Sequence, residues 1–452
     1  MRRRNAWRWV VVLWVAAAAC DEGEAIVPDA PGDAEATDDG GAPDVPVDDA
    51  APPRDEGSGD APADDAAPPP DEGSGDVPAD TPPVPCSTPL ADRVRVTAVS
   101  VAPARVETYG GGYFSPDRPV ILSPLPDGTS KVAWTDGTGQ VHVTPLDGND
   151  ARRGPDVTLP GTEVRGFVAL PDGAAVLVRR DDDVMAVVRV NDAGVETFAT
   201  HLVGDEPHDV EGSRWIDDWS HDGRLAWSGT QFAAYHGQTG NHGSAGNHQG
   251  DRYVLLDPAG RQTVVWDWGC SHSLDVRLAW NGSAFGPVCL SDCYPGKGIY
   301  YNHRGLVRSE PSGDCAGRSS AELGGLAGDG DGFLLTFVSR EGRSSADVGL
   351  VHIDTGGAVG EVAWLTDTAG VDEAGAHLAA YGPAYLAGWT AGGTGRLAVV
   401  DASGAILEGP ADVAAESGAR NDFVTWPNGD AGWAYAWGDT SRLQVVRVSR
   451  CE

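Results

Sequence analysis

The chain has 452 residues, with 67 Asp or Glu against 32 Lys or Arg and a formal charge of −35 at pH 7. That acidity argues against a nucleic-acid partner, which would need basic stripes to displace the counterions of phosphate. Beyond the N-terminus no segment keeps a helical apolar period, so the expected fold class is all-β.

The chain opens with Arg2, Arg3, Arg4 and Arg8, then an apolar stretch from Trp9 to Ala19 that is short for a membrane span. It ends Ala17-Ala18-Ala19-Cys20. Residues 1–20 resemble the signal peptide of a bacterial lipoprotein, with Ala17 where Leu is commonest. The resemblance implies acylation of Cys20, palmitate included, and lipid anchoring in the cell envelope of a bacterium, on the periplasmic or the exposed side. A multiply acylated terminus anchors stably where a single chain would not. An ordinary secretory signal cut at the same small residues is the alternative.

Residues 21–85 are rich in Asp, Ala, Pro and Gly, and Asp55-Glu-Gly-Ser-Gly-Asp60 recurs as Asp71-Glu-Gly-Ser-Gly-Asp76. Such a composition buries too little apolar surface to fold. Its charge and prolines keep it extended, so it reads as a disordered linker, with calcium binding the less favoured role.

From Val94 to Arg450 one pattern repeats seven times: an apolar strand, a Gly turn, a second strand often carrying Trp or Tyr, and a third strand closing in most copies on Asp or Asn. The third strands include Gln140–Asp147, Met185–Asn191, Arg252–Asp257, Gly298–Asn302, Val348–Asp354, Arg396–Asp401 and Arg442–Val448. Asp or Asn there can bond its own backbone, and Gly194, Gly260, Gly305, Gly356 and Gly404 can supply positive φ. A period of roughly 45–50 residues marks a propeller or an array. The seventh copy lacks a fourth strand, and Arg93–Val101 is a spare strand ahead of the first. The expectation for residues 86–452 is a seven-bladed β-propeller whose N-terminal strand completes the last blade, hiding sheet edges. Most Trp and Tyr occupy equivalent strand positions, as inter-blade packing would require.

Export permits disulfides, and six Cys remain besides Cys20. Ring closure brings Cys86 to the same end of the last blade as Cys451, predicting Cys86–Cys451. The other four cluster around the fourth copy. Cys270–Cys289 with Cys293–Cys315 is favoured, and the swapped pairing competes.

In a four-stranded blade, the loops between strands two and three share a face with the connections between blades. Most of these loops are short here. The third copy instead carries His236-Gly-Gln-Thr-Gly-Asn-His242-Gly-Ser-Ala-Gly-Asn-His248-Gln-Gly-Asp251, and His208, His221 and His272 lie in neighbouring connections. Three readings stay open. The loop is a Gly-rich duplication without a ligand. It holds zinc or a similar ion through His236, His242, His248 and Asp251. Or His248 and His272 act as general acid and base with Tyr235, while Arg277 neutralises a carboxylate. Some polysaccharide lyases are propellers with His, Tyr and Arg in this role, which is fold-level analogy only. Asp329-Gly-Asp-Gly332 reads as a turn rather than a calcium loop.

Two functions follow. One is a membrane-anchored binding or interaction module for a glycan, peptide or protein on the face of the third and fourth blades. The other is a lyase or hydrolase acting on an acidic polysaccharide there.

Overall fold

The computed structural model describes residues 87–106, 120–180, 184–202, 222–241, 247–267, 270, 275–292, 295–302, 305–310, 321–418, 420–436 and 440–451, backbone only at 238–241, 247–249 and 265–267. Among them the one helical element is a 3-10 turn, Leu90–Arg93, followed by strand β1 (Val94–Ser100). The next strands are β2 (Val120–Pro124), β3 (Ser130–Thr135), β4 (Gln140–Leu146), β5 (Val157–Leu170), β6 (Gly173–Arg179), β7 (Met185–Asn191) and β8 (Glu196–His201). Then come β9 (Gly223–Trp227), β10 (Phe232–Asn241), β11 (Asn247–Leu256), β12 (Gln262–Asp267), β13 (Asp275–Trp280), β14 (Phe285–Ser291), β15 (Gly298–Tyr301) and β16 (Gly305–Ser309). The last are β17 (Glu322–Asp329), β18 (Gly332–Ser339), β19 (Asp347–Asp354), β20 (Ala363–Trp364), β21 (Glu373–Tyr381), β22 (Ala384–Ala391), β23 (Thr394–Val400), β24 (Ile406–Val413), β25 (Val424–Thr425), β26 (Ala431–Tyr435) and β27 (Arg442–Val448).

Five sheets are four-stranded: β9–β12, β13–β16, β17–β20, β21–β24, and β25–β26–β27 completed by β1. The sixth sheet is seven-stranded, β2 to β8 in order. Within it the 14-residue β5 pairs with β4 through its first half and with β6 through its second. The strands β2, β5, β9, β13, β17, β21 and β25 touch one another in that order, and β25 touches β2 again. Sheets that pack face to face around a closed circle of inner strands make a β-propeller.

The circle is tight because neighbouring inner strands meet backbone to backbone. A Cβ on Gly166 would lie 2.5 Å from the amide nitrogen of Leu225, and one on Gly325 would lie 2.1 Å from that of Leu378. Closure is as the sequence predicts. β1 pairs antiparallel with β27 from Val94↔Val448 to Ser100↔Arg442, so β27 lies inside its sheet rather than at its edge.

The turns form for the reason the residues suggest. Asp147, Asn191, Asp257, Asp354 and Asp401 each accept hydrogen bonds through Oδ1 from backbone amides further along the turn. Gly194, Gly260 and Gly404 take positive φ. In the fourth copy Asn302 does so instead of Gly305, and in the fifth Gly357 instead of Gly356.

The core lies between sheets. Trp134 packs with Trp426 and Leu443, Trp389 with Leu350 and Leu378, and Trp433 with Leu397 and Phe423, all buried. Each cluster joins two sheets, so the aromatic residues cement neighbouring blades. One disulfide links Cys270 to Cys289, with Cα atoms 6.1 Å apart. Cys451 is also disulfide-bonded, while Cys86, Cys293 and Cys315 lie outside the described residues.

One expectation changes. The His-rich stretch of the third copy is largely not a loop. β10 and β11 pair in unbroken register from Phe232↔Leu256 to Asn241↔Asn247, including His236↔Arg252 and Gly240↔His248. Glycines lower strand propensity, but the cross-strand ladder between β10 and β11 carries the hairpin outward.

Candidate functional site

The inner strands of the third and fourth copies begin alike: Asp222-Gly-Arg224-Leu-Ala-Trp227 and Asp275-Val-Arg277-Leu-Ala-Trp280. Residues two apart share a face of a strand. Each Arg therefore meets its own Asp, with Arg224 Nη1 2.5 Å from Asp222 Oδ1 and Arg277 Nη1 bonded to Asp275 Oδ1. The amide of Val276 donates to Asp222 Oδ2 at 2.7 Å, tying the start of β9 to β13.

A third segment enters from the far side of the ring, just ahead of β25. Arg224 Nε lies 2.7 Å from Asp422 Oδ2, and Arg277 Nε lies 3.7 Å from Asp422 Oδ1. Arg420 Nη1 lies 3.1 Å from Asp222 Oδ2 and 3.7 Å from Asp275 Oδ1. Arg224 Nη2 also donates to the carbonyl of Arg420 at 3.2 Å. In the circle of inner strands β25 is not a neighbour of β9 or β13, so these contacts span the channel. The Arg224, Arg277, Arg420, Asp222 and Asp275 side chains are buried, whereas that of Asp422 is 30% exposed. Asp422 is the carboxylate this network offers to a ligand.

Burial alone would raise Asp222, but Arg224 and Arg420 outweigh it and hold its carboxyl well below the usual range. Burial raises Asp275; Arg277 and Arg420 offset this only in part, and the charge of Asp222 adds to the rise. One acid of the pair is thus kept ionised and the other is pushed toward its protonated form.

The segment that carries Arg420 and Asp422 is itself anchored. Asn421 Oδ1 accepts from the Gly418 amide at 2.6 Å, and Asn421 Nδ2 donates to the Ala434 carbonyl at 3.1 Å. His377 Nδ1 lies 2.9 Å from the Asn421 carbonyl, which can only accept, so this nitrogen carries the proton. The imidazole stacks on Phe423 at 4.6 Å, and Phe423 stacks on Trp433 at 4.2 Å. Burial, reinforced by Arg277, lowers His377 to about 4, so it is neutral at pH 7.

Beneath the network lies a cavity of about 490 Å³. Arg224, Arg277 and Asp422 are its charged lining, and Phe167, Leu225, Leu278, Leu326, Leu378 and Phe423 are among its apolar walls. It reaches Pro126 and Pro171, next to hairpin turns of the inner strands. The arrangement suits a small ligand with an apolar body and a polar head.

Of the residues named from sequence, Arg277 belongs to this site. Tyr235 does not. It is fully buried, its hydroxyl donates to Asp251 Oδ2, and burial together with the Asp251 charge holds its pKa well above 10. Such a phenol stays protonated and does not meet a polymer at the surface. Asp251 is buried too and accepts the Cys270 amide at 2.9 Å.

His236 pairs with Arg252 and Asp251 with Gly237, so side chains at 236 and 251 project from opposite faces of the hairpin. An ion held by His236 is therefore not shared with Asp251. Burial lowers His236 to about 3, against the bond of its Nδ1 to the Gly237 carbonyl. The side chains of His242, His248 and His272 lie outside the described residues, as does Cys20.

Sequence reading passed over Asp222, Arg224, Asp275, Arg420 and Asp422. The signal was present for the first three: Asp-x-Arg-Leu-Ala-Trp occurs twice, each time at the start of an inner strand. Arg420 and Asp422 carried no such mark.

No protein-family profile and no curated protein matches the chain. Several solved structures align along most of its length. The lectin BP39L from Burkholderia pseudomallei is 13% identical, covering 75% of this chain and 98% of the lectin at a TM-score of 0.47. The Pan2 WD40 domain from Neurospora crassa is 11% identical, covering 78% of this chain and 95% of the domain at 0.44. A chain of a mitotic checkpoint complex is 15% identical, with 82% and 98% covered at 0.44. At these scores the architecture rests on the sheet topology described above.

Proposed function

We propose that this chain is an exported, lipid-anchored binding module: a seven-bladed propeller held off the membrane by its acidic linker, taking a small ligand in the central channel against Arg224, Arg277 and Asp422. In this reading the seven-stranded sheet counts as two blades that share β5, which the closed circle of seven inner strands supports. Anchoring rests on the lipoprotein-like sequence ending at Cys20.

The observation that carries the binding site is the cavity that exposes Asp422 beside Arg224 and Arg277 above apolar walls. A carboxylate only accepts hydrogen bonds, so the head of the ligand is a donor, a hydroxyl or an amine. The apolar walls take its body.

The test is a binding screen of small hydroxylated and amine-bearing amphiphiles, read by calorimetry. Leu326→Trp fills the cavity and removes binding. Asp422→Asn keeps an acceptor but loses the charge, so hydroxyl ligands persist and amine ligands are lost. A ligand that binds equally well to Leu326→Trp sits elsewhere, and the proposed site fails.

A further inference from the structure

Asp422 sits among more positive charge than negative. Arg224, Arg277 and Arg420 bring three guanidiniums to this end of the channel, from β9, β13 and the segment ahead of β25. Against them stand two carboxylates. One is Asp222, whose burial is outweighed by Arg224 and Arg420, so that its carboxyl stays well below the usual range. The other is Asp422, 2.7 Å from Arg224 Nε. Asp275 does not complete the balance. Burial pushes its carboxyl up to about 7; Arg277 and Arg420 oppose this, and the charge of Asp222 adds to it. His377, on β21, is neutral at pH 7. Among the described residues, three positive charges therefore face two negative ones wherever Asp275 is protonated.

The guanidinium N–H groups are also largely committed. Arg224 Nη1 donates to Asp222 Oδ1 at 2.5 Å and to the Gly223 carbonyl at 2.9 Å, and Nη2 donates to the Arg420 carbonyl. Arg277 Nη1 donates to Asp275 Oδ1 and to the Val276 carbonyl, and Nη2 donates to the Leu323 carbonyl at 3.1 Å. An anionic head would meet the charge of Asp422 and would have to displace these acceptors. A cationic head on Asp422 would lie beside two like charges, because Arg224 Nε and Arg277 Nε both face that carboxylate. A hydroxyl meets neither obstacle. It donates its proton to a carboxylate oxygen in a charge-assisted bond and brings no charge into the channel.

Resting on the channel site proposed above, we propose that its ligand is an uncharged alcohol, an apolar body whose hydroxyl donates to Asp422. Selection against amines is strongest where Asp275 is protonated. It eases as Asp275 ionises, since the added negative charge then balances the three guanidiniums.

The test is calorimetry on the full chain with three probes of one body: cyclohexanol, cyclohexylamine and cyclohexanecarboxylate. Titrations are run at about pH 6 and about pH 8, on either side of the Asp275 ionisation. At the lower pH cyclohexanol is expected to bind at least about tenfold more tightly than the other two. Its affinity stays constant at the higher pH, while that of the amine rises by about tenfold. In Asp275→Asn, which stays neutral, the rise disappears. Leu326→Trp and Leu278→Trp fill the cavity from two different strands, so that misfolding of one variant leaves the other to locate the binding. No binding by any probe, or binding that survives both variants, removes the channel site altogether. Binding that the variants abolish, but with the amine or the carboxylate as tight as the alcohol at the lower pH, leaves the channel site standing and overturns its assignment to an alcohol. An amine gain that persists in Asp275→Asn overturns it equally.

Discussion

Arg224 Nε lies 2.7 Å from Asp422 Oδ2, although the two residues come from opposite sides of the ring. With Arg420 on Asp222, this contact closes one end of the central channel. Removing one member of a buried ion network leaves its partners unpaired, which commonly costs 3–5 kcal/mol. Arg224→Met is therefore expected to lose about 3–5 kcal/mol in denaturant unfolding. Asp422→Asn keeps an acceptor at the more exposed position and loses about 1 kcal/mol. Equal losses for the two variants mean that Asp422 is no less integral than Arg224.

His377 makes stability depend on pH. Its folded pKa, about 4, lies below the ordinary histidine value of 6.5, so between these values the unfolded chain binds more protons. Its contribution is complete above about pH 6.5 and is lost as pH falls through about 4, amounting to ~3 kcal/mol. Asp275, raised by burial, acts in the opposite direction, losing stability as pH rises. The contribution of His377 is thus the difference between wild type and His377→Gln. The variant should show a shallower fall in Tm between about pH 6.5 and 4, and parallel curves would remove His377 as the cause.

The Cys270–Cys289 bridge closes a short loop, with a sequence separation of 19. Replacing both residues by Ala is expected to cost about 3 kcal/mol, measured against the oxidised protein. Under reducing conditions this difference should shrink, since wild type then loses the same link.

Ring closure rests on β1, whose Val99 is buried beside Trp134 and Leu443. Val99→Asp places a charge in that core and should release β1 from β27. Light scattering on warming should then show aggregation through the uncovered β27 edge, which Val96→Asp, at an exposed position, should not provoke.

Much of this architecture was legible in the repeats because its causes are local. Asp147, Asn191, Asp257, Asp354 and Asp401 bond amides within four residues of themselves, so the residue type alone announces the turn. The spare strand before the first copy foretold the β1–β27 pairing. Cys270–Cys289 followed from proximity within one repeat. The His-rich stretch misled because glycine and histidine suggest a loop, while cross-strand hydrogen bonding holds β10 and β11 extended through His236 and His248.

By itself the sequence determined an acidic chain with a repeat of β-strands and a closing strand. Each of these depends on composition or on residues close along the chain. Only the tertiary structure decided the site. Arg224 and Asp422 are nearly two hundred residues apart, and nothing in either segment names the other. They meet because a closed ring turns its inner strands toward one axis, and burial there leaves each charge no partner but those the ring brings to it.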